Sequence, residues 1–240
     1  MSFTVKDISI LCLFGIIVLV FIGEYRRKKK EYEKTEYFQQ TNIPYRSVFH
    51  NKGNLGEYYT YNNLKDLNGY NRFLFNVYIP KENGETTEID VILLHESGIY
   101  VFESKNYGGW IFGNENQRYW RQTFKTERHW FFNPIMQNKA HIKWLQNFLS
   151  NSSDLPFYSF ILFSDRCQLV NITLTSGKHF VIHRRDVLSA VNKVITSVGT
   201  RLSPNEIDEL HYKLYPLTQV SELEKLQHIK DIQHKYNKYN

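Results

Sequence analysis

Residues 88–105, Glu-Ile-Asp-Val-Ile-Leu-Leu-His-Glu-Ser-Gly-Ile-Tyr-Val-Phe-Glu-Ser-Lys, constrain the fold more than any other stretch of the chain. Two runs rich in β-branched and aromatic residues flank a short polar turn, the pattern of a β-hairpin. With Glu96 and Ser97 as a two-residue turn, His95 pairs with Gly98 and Asp90 falls opposite Glu103. Directly paired residues share a face, with Cβ atoms roughly 4.5–5.5 Å apart. Lys105 joins that face about 6–7 Å further along the strand. A three-residue turn over Glu96, Ser97 and Gly98 would instead send the two carboxylates to opposite faces unless a bulge intervened.

Two carboxylates and an ammonium on one face of otherwise apolar strands are costly unless the charges meet one another or a metal. A cross-strand salt bridge on a solvated face satisfies that requirement. So does a hard divalent cation, which two carboxylates hold while it keeps waters for a nucleophile and a phosphate oxygen. The lysine would then orient the attacking water or offset charge in the transition state.

Asp, about a dozen residues, then Glu-x-Lys across a hairpin resembles the core signature of the PD-(D/E)xK nuclease superfamily, and more narrowly the NERD (nuclease-related) domain. The matching blocks are Gly53-Asn54-Leu55-Gly56-Glu57, Glu88-Ile89-Asp90-Val91-Ile92-Leu93, Gly98 through Tyr107 with Gly109-Trp110, and Asn133-Pro134-Ile135-Met136-Gln137. They span residues 50 to 150, with weaker similarity towards 215. Ile89 stands where the superfamily name has proline. The resemblance implies a restriction-endonuclease-like core and metal-dependent phosphodiester hydrolysis of nucleic acid, DNA ahead of RNA. It implies Mg2+ or Mn2+ on Asp90 and Glu103 with the Ser104 carbonyl as a further ligand, Lys105 positioning water, Glu57 supporting the metal site, and Gln137 contacting substrate or Lys105. The alternative expectation is a catalytically silent, membrane-tethered nucleic-acid-binding or scaffold module on the same fold.

Residues 8–23 are almost wholly apolar and uncharged, and with their mild flanks approach the roughly 20 residues that span a bilayer. A cleaved signal peptide places positive charge before such a run and a small-residue site after it. Here Lys6 and Asp7 cancel in front, and Arg26, Arg27, Lys28, Lys29 and Lys30 follow. The expectation is an uncleaved single-pass anchor in the cell membrane, its N-terminus outside and its domain cytoplasmic. Cysteine usage agrees, because Cys167 is alone in the remainder of the chain and Cys12 lies in the anchor.

The net charge of +6 is a weak pointer to nucleic acid. Residues 26–34 hold six Lys/Arg and two Glu, so +4 of the +6 sits beside the anchor. A juxtamembrane cluster facing anionic head groups accounts for it.

The expected organisation is an anchor over 1–24, a basic juxtamembrane linker over 25–45, a nuclease-like domain over 46–215 and a polar C-terminal helix or tail over 216–240. The class is α/β, a mixed central sheet flanked by helices and preceded by one transmembrane helix. A helix from Asn54 should turn Leu55, Tyr58, Tyr59 and Leu64 inward, and another should cover 134–150. Strands are expected at 72–79, in the hairpin, at 110–113, 118–124, 157–163, 169–174 and 179–183. Ser203-Pro204-Asn205-Glu206 reads as a capping box opening a helix. His179 and His183 would lie about 13 Å apart on a strand and are rejected as a metal pair. His141, one turn beyond Gln137, could approach the site but reads rather as a helix-surface histidine, and Trp110 and Trp144 read as packing residues.

Overall fold

A computed structural model describes residues 5–149 and 155–239, with backbone alone for 5–12 and 234–239. In chain order the elements are α1 (Val5–Glu33), α2 (Glu36–Thr41), α3 (Tyr45–His50), α4 (Lys52–Leu64), β1 (Asn71–Pro80), β2 (Thr86–His95), β3 (Gly98–Lys105), β4 (Gly109–Asn114), β5 (Tyr119–Phe124), β6 (Glu127–Phe132), α5 (Pro134–Leu149), β7 (Phe157–Phe163), β8 (Cys167–Thr173), β9 (His179–His183), α6 (Val187–Val198), α7 (Pro204–Leu214) and α8 (Glu222–Tyr239). This is the expected α/β arrangement, divided over two sheets rather than one. Among the described residues, a five-stranded sheet runs β1-β2-β3-β7-β9 and a four-stranded sheet runs β6-β5-β4-β8. β2 runs antiparallel to both β1 and β3, while β7 and β9 continue the large sheet parallel to β3.

The two-residue hairpin turn holds: His95 pairs with Gly98 and Val91 with Phe102. Side-chain alternation then fixes both faces of the large sheet. Phe73, Phe75, Val91, Leu93, Tyr100, Phe102, Phe160 and Leu162 form a core with the helices α2, α4 and α6. The opposite face packs Leu74, Ile92, Leu94 and Val101 against α5 and α7. Further along that face, Ile161 and Phe163 meet Ile111 and Trp120 of the small sheet.

At one position the alternation breaks. Phe73 and Phe75 join the first core but Val77 and Ile79 join the second, although in a regular strand all four share a face. Across the ladder, Val91 and Leu93 separate from Ile89 in the same way. The change falls at the pair Asn76 and Asp90, where Asn76 adopts a left-handed φ of 52°. Asparagine enters that region at less cost than most residues.

At the N-terminal end, α1 continues from the apolar run into the basic cluster without a break. Arg27 pairs with Glu24 and Glu31, and Lys29 with Glu33, on an exposed surface. Thr35 caps α2 and Asn51 caps α4, each accepting backbone N–H groups through its side chain. The segment read as a linker does more than tether the domain, for Tyr32 and Tyr37 are buried in the first core. Among the described residues no helix is long and apolar enough to cross a membrane. Residues 1–4 of the expected 1–24 anchor, and the side chains up to Cys12, lie outside the described residues. From Leu13 to Ile22 the helix carries exposed apolar side chains, with Leu13, Phe14, Leu19 and Phe21 each 60% exposed or more.

Several expectations need correction. Tyr59 is exposed, and α4 turns Gly56, Glu57, Thr60, Tyr61 and Leu64 inward. The strand β6 was not expected. Its charged and histidine residues point to solvent at a sheet edge, so no buried alternation marks it. Trp110 is 52% exposed rather than packed.

Candidate active site

Asp90 and Glu103 lie at the end of the hairpin ladder, just past its last pair, Val91 with Phe102. There the Asp90 carboxylate accepts a hydrogen bond from the Ser104 backbone N–H at 2.9 Å. Lys105 turns back to Glu103, with Nζ 2.6 Å from Oε1. The helix α5 supplies the rest of this face. Asn133 caps it by accepting the Ile135 N–H, and Pro134 occupies its first turn. Gln137 Oε1 then accepts from Lys105 Nζ at 3.1 Å.

His141, one turn on, is buried rather than exposed. Its Nε2 lies 3.1 Å from Glu103 Oε2 and its Nδ1 2.8 Å from Thr87 Oγ1. Gln137 and His141 are four residues apart and therefore share a helix face, the signal by which the sequence could have revealed it.

Glu57 approaches from the other layer. It is buried on α4, and its Oε2 accepts a hydrogen bond from Tyr37 Oη at 3.0 Å. The helix comes this close because Gly56 lies against Ser104, whose Oγ a Cβ would overlap. Ser104 Oγ also accepts from Arg184 Nη2 at 3.0 Å, and Arg184 is itself buried, which pulls its guanidinium below its usual pKa. Tyr37, Asn76 and Arg184 are thus the surroundings that residue patterns missed, and His141 is the one they set aside as a surface residue. Tyr37, His141 and Arg184 are remote in sequence from the hairpin, and Asn76 lies on the neighbouring strand β1.

The electrostatics follow from three neighbouring carboxylates, Glu57 and Glu103 buried and Asp90 half-buried. Burial, then the charges of Glu103 and Glu57, push Asp90 well above the ordinary carboxylate range. Burial pushes Glu57 up to about 7, against hydrogen bonds from Tyr37 and Asn76. Burial also works on Glu103, but the Lys105 ammonium and His141 outweigh it and leave its carboxyl lowered. Lys105 is raised in turn, because Glu103 and other anionic neighbours outweigh its own desolvation. Lys105 is therefore a charged donor rather than a neutral base.

Among the described residues no group of three or more His, Cys, Asp and Glu is arranged to hold a metal ion by itself. Magnesium does not require one, since it keeps several waters and takes one or two carboxylates. Hard oxygen donors from Asp90, Glu103 and the Ser104 carbonyl fit that demand. The crowding of Asp90 by two other carboxylates is what a bound cation would relieve. His179 and His183 sit at the two ends of β9, and His179 faces Glu115, with 3.8 Å between Nε2 and Oε1.

Residues 52–164 match the family described as Nuclease-related domain, NERD. An uncharacterised protein of Bacillus anthracis is 28% identical over 189 residues, covering 78% of this chain and 85% of that protein. No solved structure matches the chain. The matched stretch holds Glu57, Asp90, Glu103, Lys105, Gln137 and His141. Over residues 52–164, just under half of its length, the chain is therefore similar to the nuclease-related domain family.

Proposed function

We propose that the protein is a metal-dependent nuclease that hydrolyses phosphodiester bonds, with DNA the first substrate to test. The observation that carries this reading is the convergence of Asp90, Glu103 and Lys105 from one hairpin with Glu57 from α4. Asp90, Glu103 and the Ser104 carbonyl would hold Mg2+ or Mn2+. The ion supplies Lewis acidity towards a phosphate oxygen and lowers the pKa of water. Lys105, charged and held by Glu103 and Gln137, orients the attacking water and offsets negative charge as the P–O bond to the leaving group breaks. His141 fixes the Glu103 carboxylate through its bond to Thr87. Glu57 adds negative charge near Asp90, strengthening the site for a cation.

The PD-(D/E)xK relationship and a restriction-endonuclease-like core belong to the same proposal, as does anchoring through residues 1–24 with Arg26 to Lys30 at the lipid surface. The exposed apolar side chains from Leu13 to Ile22 support the anchor. Topology is best read from a Glu82→Cys variant lacking both native cysteines. Cys167 is a poor reporter, being buried with its thiol pushed up to about 11. Labelling of that variant by an impermeant thiol reagent on intact cells would refute a cytoplasmic domain.

The test of the chemistry uses full-length protein in detergent with single-stranded DNA, duplex DNA and RNA, in magnesium, manganese or EDTA. Truncation at Thr41 is avoided because it would remove Tyr32 and Tyr37 from the core. Metal-dependent cleavage lost in Asp90→Ala and Glu103→Gln is the expected result. A folded protein that cuts none of the substrates would refute the nuclease and leave a binding module.

A further inference from the structure

The small sheet packs Ile111 and Trp120 inwards, and the side chains of its other face belong to none of the three core clusters. On that outer face Phe112, Arg121 and Trp130 form one row across β4, β5 and β6. The Arg121 guanidinium lies 4.3 Å over the Phe112 ring, and its Nε is buried without a hydrogen-bond partner. Trp130 is 65% exposed and its neighbour Tyr119 40%. A cleft of about 340 Å³ opens here, bounded by Tyr119, Arg121 and Trp130 with Asn114, Gln117 and Asn171.

Exposed aromatics grouped around a half-buried guanidinium with one unsatisfied N–H mark an interaction surface. The charge selects the partner. Between residues 116 and 132 the chain carries Arg118, Arg121, Lys125 and Arg128 against Glu127 as the one acid. An anionic polymer with planar groups satisfies both features, because stacked bases meet the rings and phosphates meet the arginines. Bases inside a duplex do not offer their faces to side chains. The polar groups of Asn114, Gln117 and Asn171 supply donors and acceptors for base edges.

We propose that the outer face of the small sheet binds a single-stranded stretch of nucleic acid, with bases on Trp130 and Tyr119 and a phosphate at Arg121. The nature of the polymer rests on the nuclease reading. Connectivity ties the face to the candidate active site: β4 starts at Gly109, just beyond Lys105, and β6 leads through Asn133 into the helix carrying Gln137 and His141.

The test is a fluorescence titration of full-length protein in detergent and EDTA, with a labelled oligothymidylate and a duplex of the same length. Tighter binding of the single strand is expected. Arg121→Ala combined with Trp130→Ala should weaken it at least about tenfold at an unchanged thermal midpoint, and Trp130→Phe alone should keep most of it. No single-strand binding by the wild type, or unchanged binding by the folded double variant, overturns the proposal. Self-association lost in the double variant, without oligonucleotide binding, would make the face a dimer interface and equally overturn it. The nuclease reading fails separately, on absent metal-dependent turnover, which this titration does not measure.

Discussion

His141 and Glu103 are joined across two layers of the fold, imidazole Nε2 to carboxylate Oε2 at 3.1 Å, with the other ring nitrogen held by Thr87 Oγ1. A carboxylate tied on one oxygen by Lys105 and on the other by a clamped histidine has little rotational freedom. In the proposed metal site, these two contacts would orient Glu103 as a ligand.

His141→Ala should therefore lower metal affinity or metal-dependent turnover by about 10–100-fold while Asp90 and Glu103 remain. It should also destabilise the domain by about 1–3 kcal/mol, because Thr87 and Glu103 lose a buried partner. Metal titrations of turnover, with denaturant unfolding alongside, check both. Full activity in the variant would remove His141 from the site.

Gly56 sets how closely α4 approaches β3. In Gly56→Ala the new Cβ would overlap Ser104 Oγ and lie 3.3 Å from Arg184 Nη2. Overpacking of this kind costs about 1–3 kcal/mol, more than the gain in helix propensity of up to about 1 kcal/mol. The matched control is Gly53→Ala, whose nearest neighbour is the Asn51 side chain at 3.2 Å. It should stay within about 0.5 kcal/mol of wild type in urea unfolding.

The crowded carboxylates predict a conflict between stability and function. Asp90 is raised well above its ordinary value by burial and by Glu103 and Glu57, so its ionised form destabilises the fold. Asp90→Asn should then be more stable than wild type in EDTA near neutral pH, by about 2–4 °C in thermal midpoint for each kcal/mol. The advantage should shrink as pH falls towards the unfolded value of 3.8, where both states are protonated. Added magnesium should raise the wild-type midpoint and leave the variant unmoved. Scanning calorimetry over pH, with and without the ion, reads all three.

Glu115 acts in the opposite sense. Hydrogen bonds from Ser176, side chain and backbone, and then from the Thr175 N–H hold its carboxyl well below the ordinary range. Its stabilising contribution is complete above the unfolded value of 4.5 and disappears as pH falls through the lowered folded value. Glu115→Gln should be less stable than wild type at pH 7, with a gap that narrows in acid below about 4.5. Urea midpoints at neutral and acid pH provide the measurement; a gap independent of pH would contradict it.

Much of the site was legible because it is local. The turn at Glu96 and Ser97 fixes which residues of β2 and β3 face each other, and the Asn133-Pro134 start of α5 fixes the face carrying Gln137. The capping box was equally readable, with Ser203 and Glu206 bonded reciprocally as α7 opens. The burial of His141 was not, since a histidine on an amphipathic helix looks the same in sequence whether it meets Glu103 or water. Tyr59 and Tyr61 show the same limit, for both fit the inward stripe of α4 and only packing against Phe73 and Phe75 selects Tyr61.

The sequence by itself determined the elements whose signals repeat over a few residues: strand alternation, turn length, helix caps and the apolar run followed by basic residues. Tertiary structure decided what brings separate elements together. Asn76 in a left-handed conformation opposite Asp90 changes the face of two strands at once, so that Glu57 from one layer and Glu103 from the other act on the same carboxylate. Tyr37 reaches Glu57 across 20 residues, and Arg184 reaches Ser104 across 80. Alternation and capping are enforced by neighbours in the chain. A buried charge is balanced by whichever groups the packed layers bring within a few ångströms, and that choice exists only once the layers have closed.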